Sequence, residues 1–289
     1  MNQAKQRYQQ RMLAVCDYIY QHLDHDLTLD ELSQVAHFSR YHFHRQFSQF
    51  MGMSVTRFVQ QLRLKRAAYQ LAFQRERPIT DIAFDARFER PESFTRAFRR
   101  GFAQSPSEFR HQADWMLWSH HYQNPTPDSQ QETPVNVNIV TQPEMQIAVL
   151  EHKGPMETVM ASAGQFRQWR IESGYSPIVS CKTFGIILCD PKNTAPEDFR
   201  FDIAGEVPQP VPENAFGIIN KTMAAGRCAV VRHHGPHEGL DAKVYYLYGQ
   251  WLPESGEELR DSPCYFHYHN FFPEVDEHEL ITDIYLPIV

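Results

Sequence analysis

The sequence predicts a two-domain α+β chain: an all-α tandem helix-turn-helix domain, then a duplicated strand-helix-strand-strand domain built on antiparallel sheet. Three observations carry this. Residues 29–109 write one pattern of apolar and basic side chains twice, and residues 148–284 write a second, different pattern twice. Between them Gln123 to Pro134 is rich in Gln, Asn, Pro, Thr and Ser and has no apolar period, as expected of a tether. The expected division is a first domain over 1–112, a linker over 113–134 and a second domain over 135–289. With 289 residues, 42% of them hydrophobic, the chain can fill two cores.

In the first repeat Leu32, Ala36 and Phe38 return fifty residues later as Ile82, Ala86 and Phe88. After one inserted residue, Phe43, Arg45, Phe47 and Ser54 return as Phe94, Arg96, Phe98 and Ser105. Thr28 with Glu31 three residues on predicts a capping box and a helix start, carried by the stripe Leu29, Leu32, Val35, Ala36. Ser39 is an N-cap for a second helix from Arg40 to about Phe50. In the next unit Thr80 is expected to cap the first helix, and Pro91 fits the first turn of the second, which runs to about Phe102. Helical spacing turns Phe43, Phe47 and Phe50 inward and Tyr41, Arg45 and Ser48 outward. The same phase buries Phe94 and Phe98 and presents Glu92, Arg96 and Arg99. Between the units a helix from Ser54 to about Phe73 has the stripe Val55, Phe58, Leu62, Ala67, Leu71, leaving Arg57, Arg63, Lys65 and Arg66 solvated or against phosphate.

Charge separates the halves. Residues 1–112 hold 17 Lys and Arg against 11 Asp and Glu, a net of +6, while the whole chain is −7, so the remainder carries −13. A basic helical domain attracts phosphate locally whatever the overall pI, and an acidic companion restrains binding to random DNA.

The second repeat begins with Ala148-Val149-Leu150-Glu151-His152-Lys153-Gly154-Pro155, echoed 81 residues on by Ala229-Val230-Val231-Arg232-His233-His234-Gly235-Pro236. Trp169-Arg170-Ile171-Glu172-Ser173-Gly174 returns as Trp251-Leu252-Pro253-Glu254-Ser255-Gly256, and Asp202-Ile203 as Asp283-Ile284. Met145 to His152 and Arg227 to His233 read as strands closed by Gly-Pro, and helix spacing follows each, as in Leu240, Val244, Leu247 and Trp251. Two further strands follow each helix: Thr183 to Leu188 and Phe199 to Val207, then Tyr265 to Asn270 and Leu280 to Leu286. Two such units give antiparallel sheet with helices on one face and a central cleft on a pseudo-twofold axis.

The stretch Phe88-Glu89-Arg90-Pro91-Glu92-Ser93-Phe94-Thr95-Arg96-Ala97-Phe98-Arg99-Arg100, followed by Ser105-Pro106-Ser107-Glu108-Phe109-Arg110, resembles the C-terminal signature of the AraC/XylS family of bacterial transcription regulators. The resemblance covers residues 8 to 112 and implies sequence-specific binding of double-stranded DNA, with the helix after Ser54 as a rod between two reading units. Each second helix is then expected in a major groove, the two grooves about 34 Å apart on one DNA face. Arg45 and Arg96 are the candidates for bidentate guanine reading, with Tyr41, His44, Ser48 and Thr95 beside them. Arg40, Arg99 and Arg100 are candidates for phosphate. Glu92 either accepts from cytosine or caps its helix.

The duplicated second plan, its Gly-Pro after the first strand and the closing Thr282-Asp283-Ile284-Tyr285-Leu286-Pro287-Ile288 resemble gyrase-inhibitor-like (GyrI-like) effector domains over residues 134 to 289. This implies a small-molecule effector, often cationic and aromatic, in the central cleft. Members show Pro, a short gap and Glu-x-Tyr in the penultimate strand, with the glutamate in the pocket. Here the strand reads Pro263-Cys264-Tyr265-Phe266-His267-Tyr268, so Phe266 is expected where the carboxylate would stand, which disfavours hydrolysis and weakens a preference for cations. Candidate pocket residues are Phe184, Trp169, Tyr246, Trp251, Phe266 and Tyr268, with Asp202, Glu206 and Asp283 as candidate acids. Trp169 and Trp251 also read as repeat-equivalent core anchors.

No metal or cofactor is expected. His42-x-His44, His233-His234-x-x-His237 and His267-x-His269 have metal-site spacing but no adjacent third ligand, and His267 and His269 are expected to face solvent opposite Phe266 and Tyr268. Five cysteines without a Cys-x-x-Cys pair suit reduced thiols. No apolar run is long enough for a membrane span and there is no secretion leader, so a cytoplasmic regulator, not an enzyme, is expected. Its partners are DNA and an aromatic effector, with RNA polymerase a further candidate. A sequestering or hydrolysing protein, or a second domain that binds a protein partner, are the alternatives.

Overall fold

A computed structural model of the chain describes residues 3–122 and 135–289, so the expected linker Gln123 to Pro134 lies outside the described residues. The chain divides into two compact units, Met1–Glu132 and Thr133–Val289. The first is helical: α1 (Gln3–Gln21), α2 (Leu29–Val35), α3 (Arg40–Met51), α4 (Val55–Phe73), α5 (Ile79–Asp85), α6 (Pro91–Phe102), α7 (Pro106–His111) and α8 (Trp115–His121).

The duplication is kept to the length of each helix. α2 and α5 have 7 residues each, α3 and α6 have 12. The inserted residue falls in the turn, where Ser39 alone leads into α3 but Glu89 and Arg90 lead into α6. Both turns place a non-glycine residue in the left-handed region, His37 at φ 52° and Arg87 at φ 61°. Each is held by the same pair of bonds: His37 N to Gln34 O (3.0 Å) and Phe38 N to Ser33 O (3.0 Å), then Arg87 N to Phe84 O (2.9 Å) and Phe88 N to Ala83 O (3.1 Å). Both second helices end left-handed too, at Gly52 (φ 68°) and Ala103 (φ 57°). Serines then restart the chain, Ser54 capping α4 and Ser105 forming a capping box with Glu108 on α7.

Two caps differ from expectation. Thr28 accepts from Glu31 N, but the Glu31 carboxylate takes the Tyr18 hydroxyl at 2.5 Å, tying α2 to α1 instead of closing a capping box. Pro78, not Thr80, occupies the N-cap of α5, and no side chain caps that helix. Phe43, Phe47, Phe94 and Phe98 are fully buried as their phase requires, and Phe50 is half-buried against the same core.

Of the basic residues on α4, Lys65 is buried and Arg63 is half-buried. Lys65 is 1% exposed, its Nζ 5.6 Å from the centre of the Tyr122 ring, and Arg63 donates to Leu23 O (2.8 Å) and His25 O (2.7 Å). Helix periodicity places them on a polar flank; the carbonyls of Leu23 and His25 after α1 and the Tyr122 ring, all outside the repeat, meet that flank. Trp118 stacks on Tyr122 at 4.9 Å, and Trp115 meets Phe109 edge-on at 5.2 Å, so the aromatic run after residue 112 belongs to the helical core.

The second unit is one eight-stranded antiparallel sheet: β1 (Val137–Gln142), β2 (Met145–Lys153), β3 (Thr183–Ile187), β4 (Arg200–Glu206), β5 (Ile219–Met223), β6 (Gly226–His234), β7 (Tyr265–Tyr268) and β8 (Ile281–Pro287), in the order β1-β6-β8-β7-β3-β4-β2-β5. The pseudo-twofold axis lies between β7 and β3. Sequence reading finds the six inner strands but not the edges, whose side chains are mostly exposed and lack an apolar face. Those edges are exchanged: β1 precedes β2 but pairs with β6, and β5 precedes β6 but pairs with β2.

One helix accompanies each half, α9 (Val159–Ser173) and a composite helix of α10 (Leu240–Tyr246), a π turn (Leu247–Trp251) and α11 (Leu252–Ser255). Ala148 and Ala229 are 81 residues apart whereas Trp169 and Trp251 are 82 apart, and the π turn absorbs the extra residue without moving the second tryptophan out of phase. Trp169 packs in the core between sheet and α9, and Trp251 takes the matching place. Arg170 is buried behind α9, donating to the carbonyls of Ser176 and Cys181 and to the Thr183 hydroxyl, and burial lowers its pKa to about 10. No helix among the described residues is long and apolar enough to cross a membrane.

Ala103 carries a left-handed strain that its counterpart Gly52 avoids. For L-residues that conformation costs roughly 1–2 kcal/mol, part of which glycine returns as unfolded-chain entropy. Ala103→Gly is expected to raise stability by up to about 1 kcal/mol, read as a higher urea midpoint with unchanged slope. A lower midpoint would contradict this conformation.

Candidate nucleic-acid interface and ligand cavity

On α3 Arg40, His44 and Arg45 are exposed and Ser48 is half-buried; the Tyr41 side chain lies outside the described residues. Arg40 also reaches Asp30 of α2 at 3.4 Å, with both partners largely exposed, so the pair contributes little to stability. His44 does not stand clear. It lines a cleft of about 300 Å³ with Thr56, Arg63, Arg87 and Phe88, inside the helical unit and between its two repeats. On the second helix Glu92, Thr95, Arg96, Arg99 and Arg100 are all exposed. Thr95 donates back to Pro91 O (3.0 Å) and Arg96 to Ser93 Oγ (3.1 Å), both within their own helix. Pro91 at the first helical position leaves Glu92 in the first turn, where its charge favours the helix end.

The second unit has a cavity of about 240 Å³ on the sheet face opposite the helices. Strand parity decides its lining. Along β7, Tyr265 belongs to the cluster of Phe184, Val149 and Val230, and Phe266 to the cluster under the composite helix with Val231, Leu240 and Ile284. Tyr265 and His267 therefore face the cavity, while Phe266 is buried against helix and Tyr268 lies across Gly185, where a Cβ would meet its hydroxyl and the Phe201 ring.

Of the residues expected in the cleft, Phe184 and Asp283 line the cavity. Trp169, Trp251, Tyr246, Phe266 and Tyr268 do not, because each sits on the helix side of the sheet or on the helices themselves. Asp202 and Glu206 share the cavity face by parity with Ala204 but fall outside the lining: Asp202 is buried and takes Lys221 Nζ at 2.6 Å, and Glu206 turns to Lys182 N at 3.3 Å. The expectation that Phe266 replaces the pocket carboxylate is a one-residue error of parity. His267 and His269 share the face opposite Phe266 and Tyr268, as their parity requires, and line the cavity there, His267 half-buried and His269 exposed.

The cavity's polar end is a network. Asp283 receives Arg232 in bidentate fashion, Nε to Oδ1 at 2.7 Å and Nη2 to Oδ2 at 2.8 Å, and His269 Nε2 at 2.7 Å. Burial pushes the Asp283 carboxyl up, but these bonds outweigh it and hold the group below its ordinary value. His267, His269 and Asp283 bring ligand-type atoms within 4.8 Å of one another, a third donor that the His-x-His spacing alone cannot reveal. The guanidinium already on both Asp283 oxygens makes the trio a salt-bridged network. The apolar end holds Phe184 and Tyr265 edge-on at 6.0 Å and Tyr265 stacked on Tyr285 at 4.8 Å, with Met145 and Met223 at the rim. Tyr285, Tyr265 and Arg232 carried no sequence signal beyond alternation.

Residues 135–289 match the family of GyrI-like small molecule binding domains, more than half of the chain. The chain belongs to the GyrI-like family. Residues 32–112 match a helix-turn-helix domain, of AraC type. The chain is similar to the probable transcriptional regulator YgiV of Escherichia coli K12, 42% identical over 53% of this chain and 96% of that protein. It is similar to the transcriptional regulator Rob of Salmonella typhimurium, 25% identical over 80% of this chain and 81% of that one. It is also similar to the regulatory protein SoxS of Salmonella typhimurium, 33% identical over 36% of this chain and 96% of that one. This GyrI-like chain, with its AraC-type domain, is a DNA-binding transcriptional regulator that carries a small-molecule-binding domain. The three relatives bear regulators' names, not enzymes'.

Within the cavity, burial lowers the His267 pKa to about 4, with repulsion from His269 and Lys182 adding to it. A folded value below the ordinary 6.5 means the unfolded chain takes the proton first, so stability present above pH 6.5 is lost as pH falls toward 4. Burial lowers His233 as well, in the same sense. His267→Gln should flatten the fall in melting temperature between pH 6.5 and 4, leaving the His233 contribution. An equally steep fall in the variant would place His267 outside the cavity.

Proposed function

We propose that the protein binds double-stranded DNA through both helix-turn-helix units, α3 and α6 entering successive major grooves, and that a small aromatic molecule in the GyrI-like cavity modulates this binding. The observation that carries the first part is the equivalence of Arg45 and Arg96: each is exposed, each stands at the same phase of a 12-residue helix, and each helix follows the same left-handed turn. Arg45 and Arg96 are the base readers, joined by His44, Ser48, Glu92 and Thr95, while Arg40, Arg99 and Arg100 hold phosphate. Bonds from Arg40 to Asp30 and from Arg96 to Ser93 are exposed and cheap to exchange for DNA.

For the second part, Phe184, Tyr265 and Tyr285 supply ring faces and edges on a rigid sheet, which suits a flat ligand. The regulator would work in the cytoplasm, with RNA polymerase as a partner at the promoter.

Arg45→Ala should weaken specific binding by about 1–3 kcal/mol and relax base choice at one position, whereas Arg100→Ala should weaken all sequences alike. A gel-shift series on a site selected from random DNA measures both. Unchanged affinity and base preference in Arg45→Ala would remove α3 from the interface.

A further inference from the structure

We propose that the cavity of the second unit is built for an aromatic acid: a one- or two-ring molecule whose carboxylate or comparable anion meets Arg232 and Lys182 while its ring lies among Phe184, Tyr265 and Tyr285. This rests on the reading of the cavity as a ligand site and goes on to give the charge of its occupant.

The two halves of the sheet differ at the positions that set charge. Glu151 of β2 and Arg232 of β6 are repeat equivalents, 81 residues apart, on the cavity face of their strands. In the first half Glu151 and Asp202 share Lys221, both at 2.6 Å, and this acidic triad stays outside the cavity lining. In the second half the single acid, Asp283, is neutralised by Arg232 and further held by His269. Beyond β3's start Lys182 lines the cavity too and is exposed; its backbone nitrogen donates to Glu206, and its ammonium makes no ion pair among the described residues. The lining thus carries two permanent cations against one paired acid, and no unpaired carboxylate for a cationic ligand to meet.

Geometry gives the cations a common target. Both line the one cavity, Arg232 opposite Asp283 on the β6–β8 ladder and Lys182 two residues before Phe184 on the same face of β3. Arg232 spends Nε and Nη2 on Asp283, and its side chain is 54% exposed, which leaves the outer edge of the guanidinium toward the opening. A bound anion there adds a charge-assisted bond without breaking the bidentate pair. The ring end follows from the same lining. Tyr265 and Tyr285 are parallel within 5°, Phe184 stands edge-on to Tyr265, and the thioethers of Met145 and Met223 at the rim adapt to ring shape.

The full-length protein titrated calorimetrically with 2-naphthoate, 2-naphthamide and 2-naphthylmethylammonium tests this. The expected result is binding of the naphthoate at least about tenfold tighter than the ammonium, with the amide between them. Lys182→Gln, an exposed position whose loss leaves the sheet intact, should reduce naphthoate affinity about threefold or more and leave the amide unchanged. Arg232→Gln should reduce it further, with circular dichroism checking the fold. Tighter binding of the ammonium, or equal binding of all three, would overturn the anionic preference while leaving the aromatic cavity standing. Binding of none would overturn both the preference and the cavity reading.

Discussion

Alternation along β7 sends Tyr265 and His267 to one face of the sheet and Phe266 and Tyr268 to the other, and ladders to β3 and β8 lock that choice on both sides. A slip of one residue would put Phe266 into the cavity and the Tyr265 hydroxyl under the composite helix, exchanging an apolar core residue for a polar one. Every feature of the cavity depends on this register. It aligns His267 opposite Asp283 and Tyr265 opposite Tyr285, which creates both the polar end and the stacked ring wall. Asp283 can remain charged at 5% exposure only because Arg232, its partner across the β6–β8 ladder, lies on the same face.

Duplication supplies the frame in both units, and departures from it supply the chemistry. In the helical unit the two turns, the helices α3 and α6 and the serine restarts coincide, so equivalent arginines arrive on equivalent faces. The inserted Glu89 and the proline at the head of α6 alter only how the second helix begins. In the sheet unit the frame is kept even where the sequence length changes, since a π turn returns Trp251 to phase. What differs is Glu151 against Arg232 and Leu188 against His269, positions that face away from the helices and are free to diverge because they carry no core packing.

Most of the fold was legible because periodicity reports burial. The inward phenylalanines of α3 and α6, the serine cap at Ser39, and six of eight strands follow from spacing and cap chemistry alone. The edge strands were not legible, since their neighbours come from the opposite half and they have no buried face to mark them. The places of Lys65 and Arg63 are not legible from periodicity because what meets them, Tyr122 and the chain after α1, is far away in sequence. The cavity was legible only in part. Phe184 and Asp283 carry aromatic and acidic signals that suit a pocket, but Tyr265, Tyr285 and Arg232 are ordinary strand residues until the register is known. Phe266 shows the complementary effect: position in a motif does not fix side-chain direction, which the ladder sets.

If the duplicated units act as proposed, one chain addresses two successive major grooves. Guanine methylation-protection footprinting of the full chain on DNA selected from a random pool tests it most directly. The account predicts two protected windows on one face of the duplex, centred about 10 base pairs apart, the window over α6 lost in Arg96→Ala and that over α3 retained. A single protected window, or protection without helical phase, would contradict it.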